Sequence, residues 1–205
     1  MFIQQLLLTS TVALANVLGV GMLIPQALRI IGTRSLKGVS GAWIGAGIAI
    51  NTGWFIYGLA VGVVGLLPVS AGSLVLYVWI FTLASSISRG TAREAAMTAG
   101  AILSLLTLVL GVGDVATFGL VLSACYTVQF APAAREALQS RDVDSISPST
   151  WIMATTEALL WAGYGIAIAD LPVALGGIGA TFMSAIVLGQ LKRAPRRRLR
   201  RRIAL

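Results

Sequence analysis

The sequence has no histidine, a single cysteine and only seven acidic residues among 205. Without histidine it lacks the imidazole group that most often serves acid–base catalysis and zinc binding, and one cysteine cannot close a disulfide within the chain. It also contains no nucleophile–base pair, no cluster of metal ligands and no phosphate-binding glycine loop. The sequence therefore predicts neither an enzyme nor a protein with a bound metal or cofactor.

Charged residues are scarce too, at 11% of the chain against about 25% in soluble proteins, whereas 57% of the residues are hydrophobic. A helix needs about 20 mostly apolar residues to cross a hydrocarbon core about 30 Å thick. Seven such segments lie near 4–28, 41–60, 64–87, 94–113, 115–134, 148–169 and 171–191. No basic residue precedes the first segment and it stays apolar past Ala15, which indicates a spanning helix and not a signal peptide. We expect an all-α integral membrane protein with seven transmembrane helices.

The basic residues all follow the odd-numbered segments, so that seven crossings place them on one side. They are Arg29, Arg34, Lys37, Arg89, Arg93, Arg135, Arg141, Lys192, Arg193, Arg196, Arg197, Arg198, Arg200, Arg201 and Arg202. The positive-inside rule makes this side cytoplasmic and the N-terminus external, in the inner membrane if the source is bacterial. The net charge of +8 therefore indicates topology and a tail that contacts anionic lipid headgroups, with no nucleic-acid partner.

The chain matches itself at an offset of 107 residues, without a gap from 25 to 60. The aligned pairs include Pro25 with Pro132, Trp54 with Trp161, Tyr57 with Tyr164, Gly58 with Gly165 and Gly72 with Gly179. The repeat covers the first three and last three segments, and the extra fourth crossing gives both copies the same direction. We expect two parallel three-helix bundles, over 1–90 and 114–191, joined by a linker helix over 91–113 and followed by the tail 192–205.

These features resemble the SWEET sugar transporters and their half-sized SemiSWEET relatives, in the PQ-loop/MtN3 superfamily. The resemblance rests on Pro25-Gln26 and on the duplicated Trp-x-x-Tyr-Gly units that begin at Trp54 and Trp161. It implies a carrier that moves a small polar solute, most often a mono- or disaccharide, by facilitated diffusion with alternating access between its two halves. Both halves lie in one chain, so a dimer is unnecessary, although a homo-oligomer is compatible with the sequence.

The resemblance also implies roles for individual residues. Trp54 and Trp161 would stack against the sugar, with ordinary packing or an interfacial belt as the alternatives. Tyr57, Tyr164 and Asp170 would close an extracellular gate, with belt tyrosines as the alternative. The hinge and cytoplasmic gate would comprise Pro25, Gln26, Gly41, Pro132 and Pro148, where Gly41 is a flexible substitute for a fourth proline.

One departure from the family concerns the asparagine that it has near the start of each third helix. Counting from the tryptophans places Ser70 and Gly177 at these positions. An unmet polar group in a dry site costs about 1–3 kcal/mol, so a sugar would need other partners. Asn51, one turn from the first tryptophan, and Ser70 or Ser73 would supply part of that hydrogen bonding.

Glu157 is the second departure, because it is the one ionisable side chain well inside a predicted span. It lies four residues before Trp161 and hence on the same helical face. It would bind protons coupled to transport, bind a cationic or polyol substrate directly, or be a solvated structural residue. Two alternatives therefore stand beside the sugar carrier: a proton-coupled PQ-loop carrier of cationic amino acids, and a PQ-loop-like membrane receptor that transports nothing.

Overall fold

The computed structural model describes residues 2–139 and 148–203, which are helical apart from short connectors. Within these ranges the helices are α1 (Phe2–Gly21), α2 (Ile24–Thr33), α3 (Gly41–Val61), α4 (Leu66–Ile87), α5 (Arg89–Val112), α6 (Val115–Gln129), α7 (Ala131–Gln139), α8 (Pro148–Ala167) and α9 (Leu171–Ile203). Arg141 of the predicted basic connectors lies outside the described residues, as do the side chains of Pro148 and of the tail from 192 onward.

The helices form seven rods, because α1 with α2 and α6 with α7 each make one broken rod. Six rods are long and apolar enough to cross a membrane: Phe2–Thr33, Gly41–Val61, Leu66–Ile87, Arg89–Val112, Val115–Arg135 and Leu171–Leu191. The remaining rod, α8, is less apolar because Thr155 and Glu157 lie in its middle. It packs against α1 and along α9, and it completes the predicted set of seven.

Both broken rods are interrupted immediately before a proline. α1 ends at Gly21 and α2 begins at Ile24, which precedes Pro25, while α6 ends at Gln129 and α7 has Pro132 as its second residue. Proline lacks an N–H group and its ring clashes with the preceding turn, so a helix breaks on its N-terminal side. The sequence predicted spans near 4–28 and 115–134, and each is present as one rod that is interrupted before its proline.

The rods pack as two three-rod halves with the linker on one flank. In each half the third rod contacts the other two: α4 contacts α1 and α3, and α9 contacts α6 and α8. The halves meet along an α1–α8 seam and an α3–α6 seam, whereas α5 packs mainly on α3. We call the end with the α2–α3 and α4–α5 connectors the basic end, and the end with the α5–α6 and α8–α9 connectors the acidic end.

Two equivalent hydrogen bonds show the internal repeat in three dimensions. Asn16 Nδ2 of α1 donates to the Gly65 carbonyl, just before α4, at 3.1 Å. The Ser123 hydroxyl of α6 donates to the Pro172 carbonyl, at the start of α9, at 2.6 Å. Both donors and both acceptors are 107 residues apart. Each bond joins the first rod of a half to the third, so the halves share their internal construction.

The linker α5 docks on α3 through two glycines. A side chain at Gly41 would meet the Thr91 carbonyl, and one at Gly45 would meet the Ala95 carbonyl. Small residues four apart allow helices to approach this closely. The Glu94 side chain of α5 also accepts a hydrogen bond from the Gly41 N–H at 3.0 Å. Close packing thus explains the glycine at position 41, whose part in a hinge stays a prediction.

We expect Gly45→Ala to lower the unfolding temperature in detergent by several degrees, because overpacking a close contact costs about 1–3 kcal/mol. Gly100→Ala on the outer face of α5 is the matched control, since nothing lies within 4 Å of a side chain placed there. Alanine for glycine in a helix otherwise stabilises by about 1 kcal/mol. Tryptophan fluorescence during heating measures both variants, and equal shifts would contradict the close α3–α5 contact.

Candidate functional site

A cavity of about 100 Å³ lies between the two halves, with room for several water molecules. Its walls come from α1, α3, α4, α6, α8 and α9. All the residues that the sequence predicts for substrate binding line it: Asn51, Trp54, Ser70, Glu157, Trp161 and Gly177. The structure therefore brings the predicted site residues together, and their role in binding stays a prediction.

The two tryptophans occupy equivalent positions in the cavity wall. Trp54 is 8% exposed and Trp161 is 5% exposed. Each indole packs edge-on against the tyrosine three residues later, with ring centroids 5.7 Å apart for Trp54–Tyr57 and 5.8 Å apart for Trp161–Tyr164. The alternative of an interfacial belt is wrong for both tryptophans, because they are buried inside the bundle.

Glu157 lies in the cavity wall and is only 5% exposed. Its Oε1 accepts a hydrogen bond from Trp161 Nε1 at 2.7 Å, and its Oε2 accepts one from the Tyr126 hydroxyl at 3.3 Å. Gly19 of α1 leaves room for the carboxylate, since a Cβ there would lie 3.2 Å from Oε1. Its burial places the carboxylate inside the bundle, and the three roles that the sequence leaves open for Glu157 stay predictions.

No basic side chain in the described ranges pairs with this carboxylate. A buried charge without a partner is costly, so the site favours a ligand or a proton that satisfies it. The repeat partner of Glu157 is Ile50, and that of Tyr126 is Gly19. The two halves therefore differ at the cavity itself, and the acidic group occurs on one side alone.

Hydroxyl and amide groups of α4 and α6 also line the cavity, among them the predicted Ser70 and Ser73. Ser70, Ser73 and Tyr77 follow one face of α4, and the Tyr77 hydroxyl accepts a hydrogen bond from Gln129 Nε2 at 3.4 Å. The Ser70 hydroxyl and Gln129 Oε1 are buried without a hydrogen-bond partner among the described residues. These groups are free to bind a solute. The sequence did not single out Tyr77, and its spacing of seven residues from Ser70, on the same helical face, was the signal that could have identified it.

Gly177 lines the cavity, but the side chain that it lacks would point toward α8. A side chain there would meet the backbone of α8 at Ala162 N and Ala158 O. The neighbouring Gly176 lies beside the Trp54 ring, because a Cβ placed at Gly176 would lie 3.2 Å from Trp54 Cζ2. The glycine at the position of the family's asparagine thus allows α9 to pack closely on α8.

The acidic end is crossed by a hydrogen bond between the halves. The Tyr57 hydroxyl donates to Asp170 Oδ2 at 3.0 Å, and Asp170 Oδ1 accepts from the Val173 N–H at 2.9 Å at the start of α9. Tyr164 reaches the other half as well, because its hydroxyl lies 3.1 Å from the position of a Cβ at Gly65. Each tyrosine therefore contacts the connector of the opposite half.

The helix breaks form the wall of the cavity nearest the basic end. Met22 and Leu23 at the first break, and Gln129 and Phe130 at the second, all line it, and the pairs are related by the 107-residue repeat. The predicted hinge prolines lie just beyond these residues, outside the cavity lining. A rotation at either break would move this wall directly.

No protein-family model matches the chain, and no curated protein matches its sequence. Among solved structures, it is similar to "The 3.7 A resolution structure of a eukaryotic SWEET transporter", with a TM-score of 0.77 and 14% sequence identity. The match covers 94% of this chain and 99% of that chain. With its two parallel bundles and its linker helix, the chain therefore has the all-α, multi-pass membrane fold of a SWEET transporter.

Proposed function

We propose that the chain is a membrane transporter that moves a small polar solute, namely a mono- or disaccharide, by facilitated diffusion with alternating access. The observation that carries the proposal is the cavity between two equivalent halves, walled by two tryptophans and by free hydroxyl and amide groups. The SWEET-like fold supports a transporter, and the solved structure that it resembles is described as one.

The chemistry of the cavity suits a sugar. The flat indole faces of Trp54 and Trp161 match the C–H faces of a pyranose ring. Ser70 and Gln129 offer unpaired polar atoms, and each oxygen of Glu157 keeps a further lone pair for a sugar hydroxyl. These groups take over the hydrogen bonding that the family assigns to its paired asparagines.

The proposed transport cycle uses both ends of the bundle. The Tyr57–Asp170 hydrogen bond closes the acidic end, and rotation of α2 and α7 at the breaks before Pro25 and Pro132 opens the basic end. We assign the basic end to the cytoplasm, where the tail 192–205 contacts anionic lipid headgroups.

Counterflow in proteoliposomes tests this function with labelled glucose, sucrose, arginine and lysine. Exchange of the sugars alone is the expected result. Exchange of the amino acids alone would contradict the sugar assignment, and exchange of none of the four would leave a receptor-like role in place of a carrier.

Trp54→Ala is expected to raise the sugar concentration that gives half-maximal exchange by about tenfold. This factor corresponds to about 1.4 kcal/mol of lost stacking. Trp54 is the better of the two tryptophans to replace, because no hydrogen bond joins its indole to Glu157. The matched control is Trp79→Ala, since Trp79 is 40% exposed on the outer face of α4. Equal loss in both variants, measured by concentration-dependent counterflow, would contradict stacking in the cavity.

One observation favours a second candidate, a proton-coupled carrier of cationic amino acids. Glu157 is buried beside aromatic rings and has no basic partner among the described side chains. An ammonium or guanidinium group could pair with the carboxylate and pack on the face of Trp161 or Tyr126. The arginine and lysine arms of the counterflow experiment test this candidate.

A further inference from the structure

A second cavity, of about 960 Å³, lies between α3, α5 and α6. It extends from the α2–α3 connector at Gly38 and Ser40 to Cys125 in the body of α6. Gln129 lines both this cleft and the central cavity. We infer that the solute passes between the central cavity and the basic end through this cleft alone, so that α5 forms a wall of the route. This inference rests on the proposed transport function.

The α3–α6 seam is tightly packed toward the acidic end. A side chain at Gly53 would lie 2.7 Å from Leu122 Cδ1, and one at Gly119 would meet Pro172 at 2.7 Å as well as the Tyr57 ring. Toward the basic end the seam contains the Tyr126 ring, whose edge packs on Trp54 with centroids 6.3 Å apart. Glycines thus close one part of this seam, and a bulky ring holds the helices apart in the next.

The α1–α8 seam has the opposite construction at the equivalent level. Gly19 stands where the other seam has Tyr126, and a side chain there would lie 2.6 Å from Val69 and 3.2 Å from Glu157 Oε1. The contact between α1 and α8 is also the more extensive of the two. The two seams therefore depart from the pseudo-twofold symmetry, and the α3–α6 seam is the less tightly packed of the two.

Gln129 is the partition between the two cavities. It is the last residue of α6 and precedes the break. Its Nε2 donates a long hydrogen bond, of 3.4 Å, to the Tyr77 hydroxyl. Its Oε1 is buried without a partner in the described part of the chain. A weak bond and an unpaired oxygen make this position easy to leave. A change of the Gln129 side-chain rotamer at this helix end would carry its amide away from Tyr77 and join the cavity to the cleft.

The linker supplies the outer wall of the cleft with Thr98, Ile102 and Leu105. Docking of α5 on α3 through Gly41 and Gly45 keeps that wall in place. Among the described residues, α8 contacts α9 and α1, and no helix flanks it as α5 flanks α3. A route along one seam therefore follows from the single linker as well as from the exchange of glycine for tyrosine.

Cys125 provides the test, because it is the single cysteine of the chain and lines the cleft. A charged, membrane-impermeant methanethiosulfonate is applied to oriented proteoliposomes from either side, and modification is read by mass while counterflow is measured. We expect modification from the basic end and loss of most of the solute exchange. Cys125→Ser, compared with its own untreated activity, should be insensitive to the reagent.

The matched variant is Leu18→Cys in the Cys125→Ser background, because Leu18 of α1 is the repeat partner of Cys125 and α1 contacts α8 as α6 contacts α3. This cysteine should react much more slowly from the basic end. Equal reaction at both positions, reaction of Cys125 only with a lipid-soluble maleimide, or modification without loss of exchange would each overturn the route. Absence of exchange before any reagent is added would instead overturn the proposed function.

Discussion

Glu157→Gln is expected to reduce solute exchange by about 10- to 150-fold, the factor that corresponds to the loss of a hydrogen bond to a charged group worth about 1.5–3 kcal/mol. Glutamine has one acceptor oxygen, whereas the carboxylate accepts from Trp161 through one oxygen and from Tyr126 through the other. One of these donors, or the solute, therefore loses its partner. Initial rates of counterflow measure the effect.

Glu94→Gln is the matched control for this substitution. Glu94 also accepts a hydrogen bond, from the Gly41 N–H, but it is exposed on α5 and lies outside the cavity. Its variant should exchange solute close to the wild-type rate. Similar losses in both glutamine variants would show that Glu157 affects folding and not the site.

The same variant separates proton coupling from direct solute binding when counterflow is repeated over a range of pH. Glu157 is the only carboxylate in the described lining, and the titratable groups that face it are the hydroxyls of Tyr126 and Tyr77. Proton coupling predicts a pH dependence of wild-type exchange that Glu157→Gln removes. An unchanged pH profile, together with a higher solute concentration for half-maximal exchange, would instead indicate that Glu157 binds the solute directly.

Loss of the Tyr57–Asp170 hydrogen bond is expected to have the next largest effect. Tyr57→Phe removes the donor, and Asp170→Ser removes the acceptor while keeping a side chain that can cap α9 at the Val173 N–H. Each substitution should shift the equilibrium between the two states about tenfold toward the state open at the acidic end. This factor corresponds to about 1.4 kcal/mol. A cysteine in place of Ser70, in the Cys125→Ser background, reports that state by its reaction with impermeant reagent from the acidic end.

A double-mutant cycle makes this prediction specific. The two substitutions remove one bond, so the double variant should react no faster than either single variant. Tyr164→Phe is the control, because the Tyr164 hydroxyl has no hydrogen bond within the described ranges. Additive effects of Tyr57→Phe and Asp170→Ser, or an equal effect of Tyr164→Phe, would contradict a gate formed by this bond.

The repeat explains why the sequence could predict much of the fold and part of the site. Trp54 and Trp161 are identical residues at equivalent positions, so one alignment placed both on the axis between the halves. The number of rods followed from hydropathy and from the placement of basic residues. Pro25 and Pro132 indicated the helix breaks. The sequence did not indicate that the broken ends form a wall of the cavity.

The residues that the sequence did not identify are those without an identical repeat partner. Tyr77 aligns with Ser184, Tyr126 with Gly19 and Gln129 with Met22, so self-comparison gives no signal at any of them. Their place in the site depends on which helices adjoin. That is decided by close approaches such as Gly19 against Glu157, which hydropathy and charge do not encode.

The single carboxylate has a consequence for how such a carrier can be built. In a dimer of identical half-sized chains, every cavity residue occurs twice, and two glutamates at this position would repel each other across the axis. Fusion of the halves into one polypeptide removes that constraint, because the repeat partner of Glu157 in the other half is Ile50. A ligand in the cavity therefore has the carboxylate on one side and no equivalent group on the other. The protein can distinguish the two ends of the ligand by which of them contacts Glu157.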